Sequence, residues 1–384
     1  HHTFSQFGSA SLVGADTFLS HHMAVNPTAM LVESNYLGAC SPDIVDDPLS
    51  RVYVDERALI TTRFHMAANR VRELVKGRAS HGSCGMGIHE TVQDAQLGHA
   101  SLAVGGLRDP AFLRRKLIEI QEAKYIALNV AYSQAPEYAR VQALEDEFSM
   151  LTSPNIVDAL LERMLEWASR VTITPAGWLG ERMRKPESVT IFERAQGVLL
   201  DQTLGFSPHV THSDCTFANA DALLDEAAFD GDVKHYAVTR TYQTRHGAGP
   251  MPTTRPDLDV LLAHDHNVRP APASAQTSWQ GRMRAGELDL VTAAHAVAAL
   301  GHVDGLVVTH CDVVDPERVP VCSGYELETG DRVEPFAGDL TLEMLNDARP
   351  FIETMTMHEA ARRLGTHVVV TSHGPTHEHK KEVS

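Results

Sequence analysis

Two stretches of the chain carry apolar residues at helical spacing. Asp109-Pro110 precedes the first, which runs from Leu113 to Ala127. This pair favours a helix start, because Asp can cap the first turn and Pro suits the first helical position. Ser153-Pro154 precedes the second, where Ile156 to Trp167 place apolar residues on one face. The pattern predicts a helix at each position.

Four short runs of β-branched and apolar residues predict strands. Each run is followed by a loop rich in Gly, Pro or polar residues, and helical segments separate the runs. Strands alternating with helices are typical of an α/β fold with a mainly parallel sheet flanked by helices, in which ligands bind at the carboxyl ends of strands. The predicted strands are Ser188–Phe192, His235–Thr239, Gly305–Thr309 and Thr366–Thr371.

The composition of the chain bears on its number of domains, its relation to membranes and its cellular location. Gly, Pro and charge are spread evenly over 384 residues without repeats or low-complexity linkers, so we predict one domain over residues 1–384. No apolar run approaches the roughly 18 residues of a membrane-spanning helix, and we expect no membrane partner. Five scattered cysteines without a CxxC pair favour a reducing, cytoplasmic location.

The net charge of −17 argues against a nucleic-acid partner, because proteins that bind duplexes are usually basic. An anionic small substrate stays compatible with this charge. A few clustered arginines can set a local positive field within an acidic protein.

Two loops after the first predicted strand carry groups that suit a purine nucleotide. Glu193–Asp201 places Gln196 and Gly197 at a turn, where the amide can donate to and accept from a purine edge. The alternative is a polar residue that merely closes the turn. Gly205–Thr216 gathers hydroxyl and backbone N–H groups that suit a phosphate monoester. Its His, Asp and Cys residues match no standard zinc spacing, so we predict no metal site.

Two arginines alternate in the segment Thr277–Asp289. Arg282 and Arg284 point the same way if the segment is extended, and two guanidiniums can hold a dicarboxylate or a phosphate bidentately. The alternative is a solvated basic loop. Upstream, the Gly and Pro residues of Thr241–Thr253 predict a loop. A Gly-rich loop alone is only weak evidence of a functional site.

The predicted strand Gly305–Thr309 runs into a Thr-x-x-Asp pattern that ends at Asp312. A carboxylate there can accept from both N1–H and the 2-amino group of guanine, and adenine lacks both donors. The alternative is an Asp that caps the next turn. A second strand runs into the polar Gly-Pro turn Val370–Thr376.

Together and in this order, these motifs resemble those of the adenylosuccinate synthetase family. The family's glutamine loop, EGAQGxxLD, is similar to Glu193–Asp201, and its GTYPxVTSS loop is similar to Gly205–Ser213. Its TRVGxGPxPT and GRxRxGxxD loops are similar to Thr244–Thr253 and Gly281–Asp289.

Three further segments extend the resemblance. The family's TKxD strand end is approximated by Thr309–Asp312, and its late SxGP turn by Ser372–Pro375. Upstream, His81–Gly87 is loosely similar to the family's TxRGIG turn. Each motif is weak alone, but six in the family's order are specific.

The resemblance implies a fold related to the P-loop NTPases and a GTP-dependent ligase. Such enzymes use GTP and Mg²⁺ to phosphorylate the 6-oxygen of IMP. The amino group of L-aspartate then displaces phosphate, which gives adenylosuccinate, GDP and phosphate. A purine 6-oxygen is a poor leaving group until it is phosphorylated. The resemblance also implies a homodimer.

The resemblance assigns binding roles residue by residue. IMP would contact Gln196, Thr211, Ser83 and Arg282. Aspartate would contact Thr277, Arg282 and Arg284. GTP would contact Asp312, Thr309, Ser372, Gly374 and Pro375.

The sequence departs from the family in several places. The family's opening GDEGKGK loop and its catalytic histidine have no counterpart here, so we expect the catalytic Asp and His to lie in an N-terminal segment that this sequence does not contain. His21 and His22 are not assigned that role. The lysine of TKxD is His310, and the turn arginine is absent. The family's VTSSN is Val210–Asp214.

These departures leave two alternatives open besides the IMP–aspartate ligase. One is a paralogue that uses a different purine or amine donor. The other is a purine-nucleotide-binding protein without catalytic activity.

Overall fold

The computed structural model describes residues 2, 4–40, 47–77, 82–136, 141–263 and 282–383. The chain divides into two compact units. The first unit comprises His1–Glu193 and Ala220–Phe229, and the second comprises Arg194–Asn219 and Asp230–Ser384. No helix among the described residues is long and apolar enough to cross a bilayer.

The first unit is predominantly helical and contains two small parallel sheets. One sheet has the strand order β1-β3-β5, and the other pairs β2 with β4. The strands are β1 (Thr17–Leu19), β2 (Ala24–Val25), β3 (Val52–Asp55), β4 (Leu59–Ile60) and β5 (Thr172–Thr174). The helices are α1 (Pro27–Cys40), α2 (Arg63–Lys76), α3 (Ile88–Gln96), α4 (Pro110–Ser133), α5 (Gln142–Ser149), α6 (Asn155–Ala168), α7 (Trp178–Met183) and most of α8 (Ala218–Glu226).

Helix α4 shows how sequence sets the local structure of this unit. The Asp109 carboxylate accepts hydrogen bonds from the N–H groups of Ala111 (2.9 Å) and Phe112 (3.1 Å), so it caps the helix as predicted. Leu113 and Leu117 then lie fully buried in the core of the unit. Helix α6 confirms the second predicted helix.

The second unit holds the segments with candidate chemistry. Its strands are β6 (Tyr236–Arg240), β7 (Tyr242–His246), β8 (Met283–Asp289), β9 (Gly305–Thr309), β10 (Val319–Glu326), β11 (Arg332–Val333), β12 (Arg349–Met355), β13 (Val368–Ser372) and β14 (Lys380–Glu382). Its helices are α9 (Leu290–Leu300), α10 (Leu342–Asp347) and α11 (Met357–Arg363).

Two sheets organise the second unit. In the order β14-β13-β9-β6, strand β9 is parallel to both β13 and β6, and β14 is antiparallel at the edge. In the order β11-β10-β8-β7, β8 and β10 are parallel, and β7, β11 and β12 pair antiparallel. The predicted α/β fold with parallel sheets and flanking helices is confirmed.

The predicted strands agree with the structure except for the first. Strand β9 has the predicted bounds, and β6 and β13 are shifted by one or two residues. Ser188–Phe192 forms no strand: Val189 and Ile191 are 86% and 79% exposed. β-Branched residues favour a strand only where neighbouring strands and a core can cover them, and this segment lacks both.

We predict that Asp109→Ala lowers the free energy of unfolding by about 0.5–2 kcal/mol, because two N–H groups of the first turn of α4 lose their acceptor. Urea denaturation measures the change. Asp109→Asn keeps an acceptor oxygen and should stay near the parent protein. Equal midpoints for Asp109→Ala and the parent would contradict the assignment of the cap.

Candidate functional site

The carboxyl ends of β9 and β13 bring together the residues predicted to bind GTP. Because the two strands are parallel neighbours, Thr309 and Ser372 end at the same edge of the sheet. The Cys311 N–H donates to the Ser372 carbonyl at 3.0 Å and ties the two following turns together. The turn Gly374–Pro375 continues from Ser372, whose hydroxyl donates to the Gly374 carbonyl at 3.2 Å.

Asp312 projects from this edge as an exposed carboxylate. It makes no hydrogen bond within the described part of the chain, so the structure does not support the turn-capping alternative. His310 adopts a left-handed backbone conformation (φ 61°) just before it, and the Thr241 hydroxyl donates to the His310 carbonyl at 3.0 Å. The chain therefore reverses sharply after β9 and leaves the carboxylate open to a ligand.

One lysine lies near this edge. The Lys380 ammonium donates to the carbonyls of Gly374 (2.7 Å) and Thr376 (2.9 Å). Burial lowers the pKa of Lys380, and the charge of Asp312 acts in the opposite direction. Gly374 is required at its position, because a Cβ there would lie 2.7 Å from Cγ of His379.

A buried carboxylate organises the second group of candidate residues. Asp201 is fully buried and accepts from the N–H groups of Thr203 (2.8 Å), Leu204 (3.0 Å) and Cys215 (2.7 Å). Burial alone would raise the pKa of Asp201, but these three N–H donors and the Thr203 hydroxyl bring it below its usual value. One charged side chain thus joins both ends of the loop from 201 to 215.

Gln196 and Thr211 belong to this assembly. Gln196 is exposed in a left-handed conformation (φ 68°), and its amide oxygen lies 3.9 Å from Sγ of Cys215. The Thr211 N–H donates to the Leu200 carbonyl at 2.7 Å. The loop therefore holds Gln196 and Thr211 close to the same buried anchor, Asp201.

Strands β7 and β8 position the predicted aspartate-binding arginines. Arg282 precedes β8, is 73% exposed and forms an ion pair with Asp259. Arg284 is half-buried, and its guanidinium donates to the carbonyls of Gly247 (3.0 Å) and Gly249 (2.7 Å). Burial lowers the pKa of Arg284. Thr277 lies outside the described residues.

Sequence reasoning did not single out Arg245. It lies directly opposite Arg284 in the β7–β8 ladder, and its guanidinium donates to the carbonyls of Ala248 and His209, both at 3.0 Å. Arg245 lies in the segment Thr241–Thr253, which the sequence predicts to be a loop fixed by Gly and Pro, but residues 242–246 form β7. Its cross-strand partner could be known only from the register.

Ser83, the remaining predicted IMP contact, lies in the first unit. Its hydroxyl donates to the side-chain oxygen of Asn69 at 2.8 Å and accepts from the Gly85 N–H at 3.1 Å. It therefore belongs to a glycine-rich turn that precedes α3.

Asp289, at the end of β8, is a second fully buried carboxylate. It caps α9 through the N–H groups of Val291 (2.9 Å) and Thr292 (3.3 Å), and the Tyr325 hydroxyl donates to its other oxygen. Burial raises the pKa of Asp289 to about 6, against the lowering effect of these hydrogen bonds. Burial also raises the pKa of Tyr325.

We predict that Asp289 makes stability depend on pH. Its folded-state pKa lies above the ordinary value, so its contribution to stability is full below about pH 4 and is lost as the pH rises through about 6. In urea denaturation, the stability of the parent minus that of Asp289→Asn should fall by up to about 3 kcal/mol between about pH 3 and pH 7. A difference that stays constant over this range would refute the prediction.

No group of three or more His, Cys, Asp or Glu side chains arranged to hold a metal ion occurs within the described ranges.

The family model described as adenylosuccinate synthetase matches residues 1–364. An adenylosuccinate synthetase of Desulforapulum autotrophicum is 29% identical over 311 residues, which cover 80% of this chain and 66% of that protein. One from Aliivibrio fischeri is 27% identical over 348 residues, which cover 88% of this chain and 72% of that protein. The chain thus spans about two thirds of the length of the first relative.

A solved structure has the same fold. It is described as fully ligated adenylosuccinate synthetase from Plasmodium falciparum and superposes with a TM-score of 0.71 at 14% identity, over 99% of this chain and 98% of that one. Because the family model matches nearly the whole sequence, the chain belongs to the adenylosuccinate synthetase family.

Proposed function

We propose that the protein is a GTP-dependent ligase of purine biosynthesis that joins L-aspartate to IMP, or to a related purine nucleotide, and forms adenylosuccinate, GDP and phosphate. The observation that carries this proposal is the exposed Asp312 carboxylate at the shared carboxyl edge of β9 and β13. Asp312 accepts no hydrogen bond from the described residues, so its carboxylate is suited to the two N–H donors of guanine.

The GTP base would lie at this edge. Asp312 would accept from guanine, and the turn of Ser372, Gly374 and Pro375 would pack beside the base, close to Thr309. The hydrogen bond from Cys311 to Ser372 supports this arrangement, because it fixes one turn against the other. Fixed hydrogen-bond geometry is what lets a site reject the base that lacks the donors.

IMP would use the loop held by Asp201. Gln196 would contact the hypoxanthine edge, and the hydroxyl of Thr211 would bind the phosphate, with Arg282 as a further proposed contact. The resemblance also implies an IMP contact from Ser83. The exposed amide of Gln196 supports its role, because in the described part of the chain its oxygen has only a weak thiol donor.

L-Aspartate would use Arg284 and Arg282, with Thr277 as the third proposed contact. Among the described residues, the Arg284 guanidinium donates only to neutral oxygen atoms, which are the carbonyls of Gly247 and Gly249 and, at 3.3 Å, the Thr254 hydroxyl. Its charge is therefore uncompensated and can attract a carboxylate.

The proposal implies GTP and Mg²⁺ as cofactors. Mg²⁺ is typically held by one or two carboxylates together with phosphate oxygens and water, and it would neutralise phosphate charge. The residues of this chain would bind and orient the purine and the amine donor. Phosphorylation of the purine 6-oxygen would convert this oxygen into part of a phosphate leaving group. The amino group of the donor could then displace that phosphate.

A homodimer and a cytoplasmic location are also part of the proposal. The dimer rests on family membership alone. The location is supported by the five cysteines, all of which are free thiols, since such thiols persist in reducing compartments.

A paralogue with a different amine donor is the second candidate. The ion pair between Arg282 and Asp259 favours it, because a dicarboxylic donor would have to compete with Asp259 for that arginine. Replacing aspartate by other amines in the assay below separates the two candidates.

We predict that Asp312→Asn weakens GTP binding by roughly ten- to a hundredfold relative to the parent, because an amide oxygen cannot replace the charge-assisted pairing with guanine. Calorimetric titration with GTP and with ATP measures the change. Asp331→Asn, which removes a carboxylate engaged with Thr329, serves as the matched control and should bind GTP normally. A parent protein that binds GTP and ATP equally well would exclude the assignment.

We predict that Arg284→Leu raises the KM for aspartate by roughly ten- to a hundredfold and leaves the KM for GTP nearly unchanged, because one charge-assisted contact is lost. Steady-state kinetics of the full-length protein test this. Arg332→Leu, which removes an exposed arginine paired with Glu334, is the control for charge. Unaltered aspartate kinetics in Arg284→Leu would instead support the solvated-loop alternative.

A further inference from the structure

Two arginines face each other across the β7–β8 ladder. Arg245 and Arg284 are directly opposed in the antiparallel register. Side chains opposed in this way lie on the same face of the sheet with Cβ atoms about 5 Å apart, and like charges there are destabilising. The fold therefore maintains an electrostatic repulsion at this position.

No carboxylate offsets this repulsion within the described ranges. Arg245 donates to two backbone carbonyls, and Arg284 donates to two carbonyls and a threonine hydroxyl. Two acidic residues close to the ladder are already paired with other arginines. Glu287 pairs with Arg255 at 2.7 Å, and Asp259 pairs with Arg282.

The pair is also partly removed from water, which strengthens the repulsion. Burial, together with the charge of Arg284, lowers the pKa of Arg245 to about 10. Nε of Arg284 is buried and has no hydrogen-bond partner among the described residues. An N–H donor left in this state has hydrogen-bonding capacity that an anion could use.

The backbone holds the two guanidiniums in place. Gly249 (φ 111°) lies so close to Arg245 that a Cβ there would be 2.3 Å from Nη2. The same Nη2 donates to the His209 carbonyl, in the loop that carries Thr211. Arg245 therefore connects the proposed IMP loop to the strand that carries Arg284.

We propose that Arg245 and Arg284 together bind one oxyanion, either a carboxylate or a phosphate group. Two guanidiniums can each donate to one oxygen of such a group, and its negative charge removes their mutual repulsion. The inference deepens the proposed function, on which the role of Arg284 rests, by assigning a binding role to Arg245.

The test measures thermal unfolding of the full chain at constant ionic strength, with chloride as the reference anion. The probes are succinate and L-aspartate as carboxylates, and inorganic phosphate and IMP as phosphates. The parent should gain stability with at least one probe. In Arg245→Gln and in Arg284→Gln, the affinity for that probe should fall by about tenfold or more.

Two further variants sharpen the test. The double variant should lose more affinity than either single variant, because each residue supplies its own contact. A loss that differs from the sum of the two single losses shows that both residues hold the same anion. Arg363→Gln removes an arginine paired with Glu353 and Glu359 and should keep the response of the parent.

Two outcomes overturn the inference. Either the parent responds to no probe, or Arg245→Gln keeps the parent's affinity for every probe. If, in the second case, Arg245→Gln also lowers the melting temperature without anions, Arg245 only joins loops.

The probes also separate this inference from the proposed function. If phosphate and IMP stabilise the parent through both arginines, and the carboxylates do not, the arginine pair is supported as a phosphate site. The assignment of L-aspartate to Arg284 would then fall. GTP binding through Asp312 is measured independently and is unaffected by either result.

Discussion

The parallel pairing of β9 with β13 and β6 is the constraint on which the candidate site of the second unit depends. Parallel strands end at the same edge of a sheet, so the turns that follow Thr309 and Ser372 must lie side by side. The hydrogen bond from Cys311 to Ser372 is a direct consequence, and it fixes the point at which Asp312 leaves the sheet. The base-reading role proposed for Asp312 requires such rigidity, because selectivity arises from donors and acceptors that cannot shift to suit the wrong base.

Two buried carboxylates hold segments of the second unit that the pairing of β9 and β13 does not position. Asp201 and Asp289 are both fully buried, yet they differ in how their charge is stabilised. Asp201 receives three backbone N–H groups and a hydroxyl, which lower its pKa. At Asp289 desolvation exceeds the effect of its hydrogen bonds and raises the pKa. The first arrangement keeps a loop near Gln196 and Thr211 folded around a stable anion, and the second makes the end of β8 sensitive to pH.

The sequence alone predicted those structural elements that depend on neighbouring residues in the chain. The cap at Asp109 and the bounds of β9 follow from residue type and apolar pattern, and the structure confirms both. The failed strand Ser188–Phe192 has the right residue types but no neighbouring strand, which no local pattern can reveal. Arg245 illustrates the same limit at the site, because its opposition to Arg284 depends on the register of two strands. The roles assigned to individual site residues stay predictions.

Arg245 and Arg284 differ from several other arginines of the second unit, which form ion pairs with carboxylates. With a net charge of −17, carboxylates are abundant, and arginines such as Arg255, Arg282 and Arg363 are paired with them. Arg245 and Arg284 form no such pair in the described chain, although pairing would relieve their repulsion. An arrangement that is unfavourable in the free protein becomes favourable when an anion binds, because the ligand then supplies the missing charge. The surrounding negative charge adds selectivity, since it repels anions from surfaces that offer only one compensated arginine.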